Sequence, residues 1–318
     1  MIVTLTANPS LDRALALNAA LMPGEVQGGR VVREDAGGKG VNVARVIAAA
    51  GASTLAVVPV SASDPYRALL ASTGIPVRTV ASAGSVRANL TITDPAGVTT
   101  KINLPGPVID ADGAAALTAA VVAACADAHW LVLAGSLPPG AGDGFYTEVI
   151  RAVREEWGAS APRIAVDTSG PALEAVVRDG NPDLIKPNDE ELAALVGEDP
   201  AGDTDLVIAA VARARAVVPE RAAAALVTLG ADGALLVTAD EVLRAMAPRI
   251  TVASTVGAGD SSLAGYLLAD VAGKPAPERL ASAVAYGAAA AMLPGTQAPT
   301  PADLPLGSIP VLPFVPTT

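Results

Sequence analysis

The chain is short of several residue types that commonly carry chemistry or brace a small fold. One cysteine, Cys125, excludes an internal disulfide, and its place in an apolar helical run points to a buried structural thiol. One histidine, His129, precedes a strand pattern with no metal-ligating neighbours, which points to a structural ring. Aromatics make up only 3% of the residues, and Trp130 and Trp157 are too few to suggest stacking on nucleic-acid bases. Asp, Arg, Gly or Pro interrupts every apolar run before the ~20 residues that would span a bilayer. The opening "MIVTLTANPSLDR" has no basic stretch and reads as a strand instead of an export signal, so the expected location is cytoplasmic. Positive charge is also scarce. The formal net charge of −11 is scattered acid, which argues against broad binding to nucleic acid or anionic membranes. Cations that serve an anionic ligand must therefore be local.

What is present is aliphatic: hydrophobic residues form 51% of the 318, so Ala, Val and Leu must do the packing. Short runs such as "MIVTL", "TLAVVPV", "WLVLAG", "RIAVDT", "DLIKPN", "AALVTLG" and "ALLVT" recur between Ala-rich segments of helical period. Continuous apolar strands belong to a sheet covered on both faces, and their alternation with helices predicts an α/β core with a mostly parallel sheet. Residues 11–36 and 86–106 break that rhythm with alternating runs joined by turns. They predict a small antiparallel sheet inserted as a lid on a core made of 1–10, 37–85 and 107–318. Exposed edges of such a lid would suit burial against a second copy, giving a possible homodimer. The Pro-rich tail from Pro294 is expected to be irregular or loosely packed.

Two Gly-rich segments carry the chemistry. In "STVGAGDSSLAGYL", Gly257, Ala258 and Gly259 precede Asp260 at the start of a helical pattern. Small residues at a helix start let a phosphate approach unpaired backbone amides, and a carboxylate there can accept a proton from an attacking hydroxyl. A plainer account of the same residues is a tight turn with Asp260 as a helix cap. Far upstream, "AGGKGVNVAR" surrounds Lys39 with Gly37, Gly38 and Gly40 and adds the amide of Asn42. The P-loop spacing is absent, and so is G-x-G-x-x-G, which weakens a dinucleotide-binding reading.

Together, "GGKGVNVAR" and "STVGAGDSSLAGY" resemble the two signature regions of the ribokinase-like carbohydrate kinase family, also called PfkB. "TANPSLDR", "LAGSLPPG", "DTSGPAL", "LIKPNDEEL" and "VTLGADGALL" continue the likeness in order along the chain. The pattern is most similar to the 1-phosphofructokinase branch, with tagatose-6-phosphate kinases close by. The resemblance implies a three-layer ribokinase-like core and ATP-dependent, Mg²⁺-assisted phosphorylation of a sugar phosphate, fructose 1-phosphate at its 6-hydroxyl. A fructose-6-phosphate or tagatose-6-phosphate kinase is the in-class alternative, and a non-catalytic sugar-phosphate sensor is the alternative outside it.

Laid on this sequence, the resemblance makes Asp260 the general base and assigns the amides of Gly257, Ala258 and Gly259 to the moving phosphoryl group. Asp12, Gly37, Gly38 and Asn42 would hold the sugar, with Lys39, Arg87, Lys101 and Ser136 toward its phosphate. A surface cross-strand pair is the plainer role for Arg87. Lys186, Asn188, Thr228, Gly230, Gly233 and Gly287 would bind the nucleotide. Asn188 and Glu191 would organise Mg²⁺, mainly through water. Asp189, Glu190 and Glu191 also suit the acidic first turn of an ordinary helix. Leu104 stands where similar chains often carry an acid, which leaves that part of the lid without its usual charge.

Overall fold

A computed structural model describes residues 1–199 and 205–314. Its larger sheet is built from β1 (Ile2–Leu5), β4 (Thr54–Pro59), β5 (Val77–Val80), β8 (Trp130–Ala134), β9 (Arg163–Asp167), β10 (Leu184–Ile185), β11 (Ala224–Thr228), β12 (Ala234–Thr238), β13 (Val242–Ala245) and β14 (Val311–Pro313). The order is β14-β13-β12-β11-β10-β9-β8-β1-β4-β5, parallel from β5 to β11 and antiparallel beyond it.

The continuous apolar runs are explained by the two covered faces. Val3, Leu5, Leu131, Leu133, Ile164 and Val166 join a core with helices α3 (Ala111–Ala124), α4 (Phe145–Trp157), α5 (Gly170–Asp179), α6 (Asp189–Val196) and α7 (Leu206–Arg215). Ile2, Trp130, Val132 and Ala165 face the other way, toward α1 (Lys39–Ala49), α8 (Ala258–Val271) and α9 (Ala276–Met292). Successive residues of one strand thus enter different cores, and three layers result. Helix α8 is buried around most of its circumference because it lies between α1 and α9, which is why its sequence lacks a polar face.

The smaller sheet contains β2 (Ser10–Leu17), β3 (Gly29–Gly37), β6 (Arg87–Thr93) and β7 (Thr99–Asn103) in the order β3-β2-β6-β7. The outer ladders are antiparallel as expected, but the central β2–β6 ladder is parallel. Those two strands are not a hairpin: each leaves the core separately and runs outward in the same direction. The tail also departs from expectation. Strand β14 adds an edge to the main sheet, with Pro313 opposite Leu243, and Leu304 and Ile309 pack against the core. An edge position tolerates proline because one side of the strand needs no donor. Residues 315–318 of the tail lie outside the described residues. No helix among the described residues is long and apolar enough to cross a membrane.

Candidate active site

The sheet's C-terminal strand ends, the N-termini of α1, α6 and α8, and the smaller sheet enclose a cleft of about 410 Å³. Asp260 lies at its centre, 6% exposed. The cap of α8 is Gly257, at φ 79°, a left-handed conformation that costs glycine no Cβ clash. No side chain caps the helix, so Asp260 does not have the capping role. Its Oδ2 instead accepts a hydrogen bond of 2.8 Å from Asn42 Nδ2, and α1 is thereby tied to α8. Burial, and secondarily the negative charge of Asp167, push the Asp260 carboxyl up to about 6. Lys39, Asn42 and Lys186 hold it from rising further. Such a group is mostly ionised at neutral pH yet basic enough to take a proton.

Ser261 is the first α8 residue whose amide finds an intrahelical carbonyl, that of Gly257. The Ala258 amide makes a long 3.4 Å bond to the Thr255 carbonyl, and the amides of Gly257, Gly259 and Asp260 find no backbone carbonyl among the described residues. A Cβ on Gly259 would come within 3.2 Å of Lys186 Nζ, so the glycine makes room for that lysine beside the helix start.

Behind this point lies a residue that the sequence reading missed. Asp167, at the end of β9, has a fully buried side chain between two lysines: Lys39 Nζ at 2.7 Å and Lys186 Nζ at 3.2 Å. Burial alone would raise its pKa, but the two lysine charges hold it below the usual carboxylate range. Burial likewise opposes the charge on Lys39, and Asp167 and Asp260 more than reverse that effect. The local signals were one acid closing the strand run "RIAVDT" and opening the segment "DTSGPAL".

On the opposite wall, Asp12 Oδ1 accepts from Ser10 Oγ at 2.8 Å and from Asn89 Nδ2 at 2.9 Å. Burial raises the Asp12 pKa, opposed by those two bonds and by the Arg87 charge. Gly37 leaves room for the Asp12 carboxylate, onto which a Cβ would fall. Arg87 opens β6 opposite Ser10, lines the cleft and donates from Nε to the Asn8 carbonyl at 3.3 Å, so it is not the surface pair considered above. Among the described residues it has no ion-pair partner in contact, whereas Lys39 is already matched by Asp167. Asn89, also missed, follows Arg87 by two residues on the same face of β6, a spacing that could have revealed it.

Lys186, Asn188, Glu191 and Thr228 line the remaining wall, along with Gly38, Gly257 and Gly259. Asn188 Oδ1 accepts from the Glu191 amide at 2.7 Å, and Glu191 Oε2 accepts from the Asn188 amide at 2.9 Å. This capping box is the ordinary-helix role, and it uses one of the two lone pairs on the Asn188 side-chain oxygen. Glu191 keeps a second carboxylate oxygen. Among the described residues no cluster of three or more His, Cys, Asp or Glu could hold a metal. So sparse a donor set fits Mg²⁺ as an ion carried mainly by phosphates and its own waters.

Lys101, Ser136, Gly230, Gly233 and Gly287, five of the expected residues, lie outside the cleft walls. Lys101 is exposed on the outer strand β7, and Ser136 is exposed with its Oγ accepting from Asn8 Nδ2 at 3.2 Å. Gly230 and Gly233 shape the turn between β11 and β12, where a Cβ on Gly233 would strike the Ala245 carbonyl. Gly287 is buried in α9, and a Cβ there would collide with Ser262 Oγ, so its visible role is close packing of α8 on α9. His129 precedes β8, at the end of the strand away from the cleft, with Nδ1 3.1 Å from the Met1 amino group. Trp130 donates to buried Asp270 at 2.8 Å, and burial pushes the Cys125 thiol up to about 12; both residues are structural.

Residues 7–303 match the pfkB family carbohydrate kinases. The chain is 34% identical over 299 residues to the ATP-dependent 6-phosphofructokinase isozyme 2 of Escherichia coli (strain K12), covering 93% of this chain and 94% of that one. It is also 34% identical over 280 residues to the 1-phosphofructokinase of Xanthomonas campestris pv. campestris, covering 84% and 83%. The crystal structure of phosphofructokinase-2 from Escherichia coli in complex with potassium is similar at a TM-score of 0.85 and 33% identity, covering 95% of this chain and 96% of that one. With the signature segments brought to one cleft and the likeness running nearly end to end, the chain belongs to the pfkB family of carbohydrate kinases and is a phosphotransferase.

Proposed function

We propose that this protein transfers the γ-phosphoryl group of ATP to fructose 1-phosphate, giving fructose 1,6-bisphosphate and ADP. The observation that carries the reading is Asp260, a buried carboxylate with its pKa raised to about 6, standing at the exposed amide end of α8 inside the cleft. An acceptor hydroxyl placed against Asp260 gives up its proton to the carboxylate as its oxygen attacks the γ-phosphorus. The Gly259 and Asp260 amides and the Lys186 ammonium take up charge on the phosphoryl oxygens. Fixed dipoles in a partly enclosed site need little reorganisation, so positioning and electrostatics supply most of the rate. Asp12, Asn89 and Asn42 would orient the sugar hydroxyls, and Arg87 would meet the phosphate already on the sugar through its guanidinium fork. Thr228 and the turn at Gly230 and Gly233 would accompany the nucleotide. Bound with the nucleotide's phosphates, Mg²⁺ would neutralise their charge, with Glu191 and Asn188 contacting its waters.

Fructose 6-phosphate is the second reading, favoured by the equal identity to the 6-phosphofructokinase relative. A coupled ADP-release assay with fructose 1-phosphate, fructose 6-phosphate, tagatose 6-phosphate, fructose and ribose tests both. The expected result is the highest kcat/KM for fructose 1-phosphate; a higher value for another acceptor overturns the substrate assignment. A homodimer through the smaller sheet is part of the same proposal. Exposed Val31, Val32 and Ile102 leave apolar surface there that a second copy would cover. A monomeric solution mass at assay concentration would count against it.

A further inference from the structure

Asp64 and Tyr66 do not line the cleft, yet together they hold the bases of β3 and β6 in the smaller sheet. Tyr66, 1% exposed at the start of α2 (Tyr66–Ser72), donates its hydroxyl to the Gly37 carbonyl at 2.8 Å. Asp64, 8% exposed, accepts from the Val86 amide at 2.7 Å with one oxygen and from the Tyr66 amide at 2.8 Å with the other. The register makes these contacts consequential. Gly37 of β3, Ser10 of β2 and Arg87 of β6 stand side by side in one row across the three strands. Tyr66 therefore grips one end of that row, and Asp64 grips the residue next to the other end. Everything that would read the acceptor rides on this row: Arg87 belongs to it, Ser10 bonds Asp12, and Asp12 in turn bonds Asn89. Gly37 is also followed at once by Gly38 and Lys39, the start of α1, whose Asn42 holds Asp260.

We propose that Asp64 and Tyr66 are positioning residues that pin the smaller sheet to the core and so fix the distance between the acceptor-reading side chains and Asp260. A buried hydroxyl-to-carbonyl bond and a carboxylate accepting two amides resist displacement because breaking either leaves a buried polar group unpaired. The pin acts on acceptor placement and not on the nucleotide wall, which is built from β10, β11, α6 and α8.

The test uses Tyr66→Phe, which removes only the hydroxyl, and the series Asp64→Asn and Asp64→Ala. Asparagine can still accept one of the two amide bonds, so it should fall between the wild type and alanine. Thr54→Val is the control, since it removes a buried hydroxyl bond to the Ile2 carbonyl at the opposite end of the sheet. The kinetic arm rests on the kinase reading above. Tyr66→Phe should raise KM for the sugar phosphate about tenfold and lower kcat, since the acceptor is held less well against Asp260, while the KM for ATP changes less than about twofold. The second arm needs no substrate: amide exchange in 10–14, 37–39 and 86–90 should speed up about tenfold in the variants, with β1 and β8 unchanged. Thr54→Val should lower stability without either effect. Exchange that rises equally in the core and the smaller sheet, or sugar-phosphate KM and exchange both unaltered, would overturn the proposal. Should the wild type phosphorylate no fructose phosphate, the kinase reading falls, and the exchange arm still decides the pin.

Discussion

Asp260→Asn is predicted to stabilise the fold while nearly abolishing turnover, and the size of the stabilisation follows from the carboxyl's surroundings. Its pKa in the folded protein, about 6, lies roughly two above the ordinary 3.8. At about 1.4 kcal/mol per unit, the ionised form costs the folded state about 3 kcal/mol. The sign follows from a raised folded value: the cost is present in full above pH 6 and fades as pH falls from about 6 toward 3.8, where the folded carboxyl is already protonated. Asparagine cannot ionise, and its amide oxygen can still accept the Asn42 bond, so the variant escapes the cost. Urea unfolding at pH 8 should therefore show Asp260→Asn more stable than the wild type by about 3 kcal/mol, shrinking to about 1 kcal/mol at pH 4.5. The kcat of the same variant should fall by about 10²–10⁴ if the carboxylate takes the acceptor's proton. A variant less stable at pH 8, or a difference that does not change with pH, would refute the reasoning.

Arg87→Ala should raise KM for the sugar phosphate at least about tenfold and leave the KM for ATP nearly unchanged, because among the described residues the other cations lining the cleft, Lys39 and Lys186, are paired with Asp167. Steady-state kinetics with each substrate varied in turn checks this. Gly37→Ala should produce the same split, since the new methyl displaces the Asp12 carboxylate and not the nucleotide wall. Asp167→Asn should cost about 3–5 kcal/mol of stability, measured by denaturation, because two lysine charges lose the acid buried between them. The acid limb of its residual activity should lie at lower pH than in the wild type, since the like charge that raises Asp260 is gone.

Much of the core was legible because parallel strands covered on both faces leave a plain mark: "WLVLAG" is apolar throughout and "MIVTL" at all but Thr4, and their apolar residues from Ile2 to Leu5 and from Trp130 to Ala134 enter cores on alternate sides. Strands β5 and β13 escaped notice, being short and only partly apolar, and β14 was hidden by the prolines around it. Asp260 was legible because glycines crowd it locally. Asp167 was not, since its importance comes from Lys39, which lies 128 residues away in the chain. No local pattern encodes a charge shared across the ends of neighbouring strands. Asp64 and Tyr66 were missed for a related reason: one holds a backbone amide and the other a carbonyl, and the sequence does not reveal backbone partners. Lys101 illustrates the converse, a cation in a suggestive segment that register assigns to the outer strand.

The most direct test of the central claim is the pH dependence of kcat/KM for the sugar phosphate in the wild type. If the Asp260 carboxylate must be ionised to accept the hydroxyl proton, the rate should fall below pH 6, reaching about one-tenth of its plateau at pH 5. A plateau that continues unchanged to pH 5 while the protein stays folded would contradict the account.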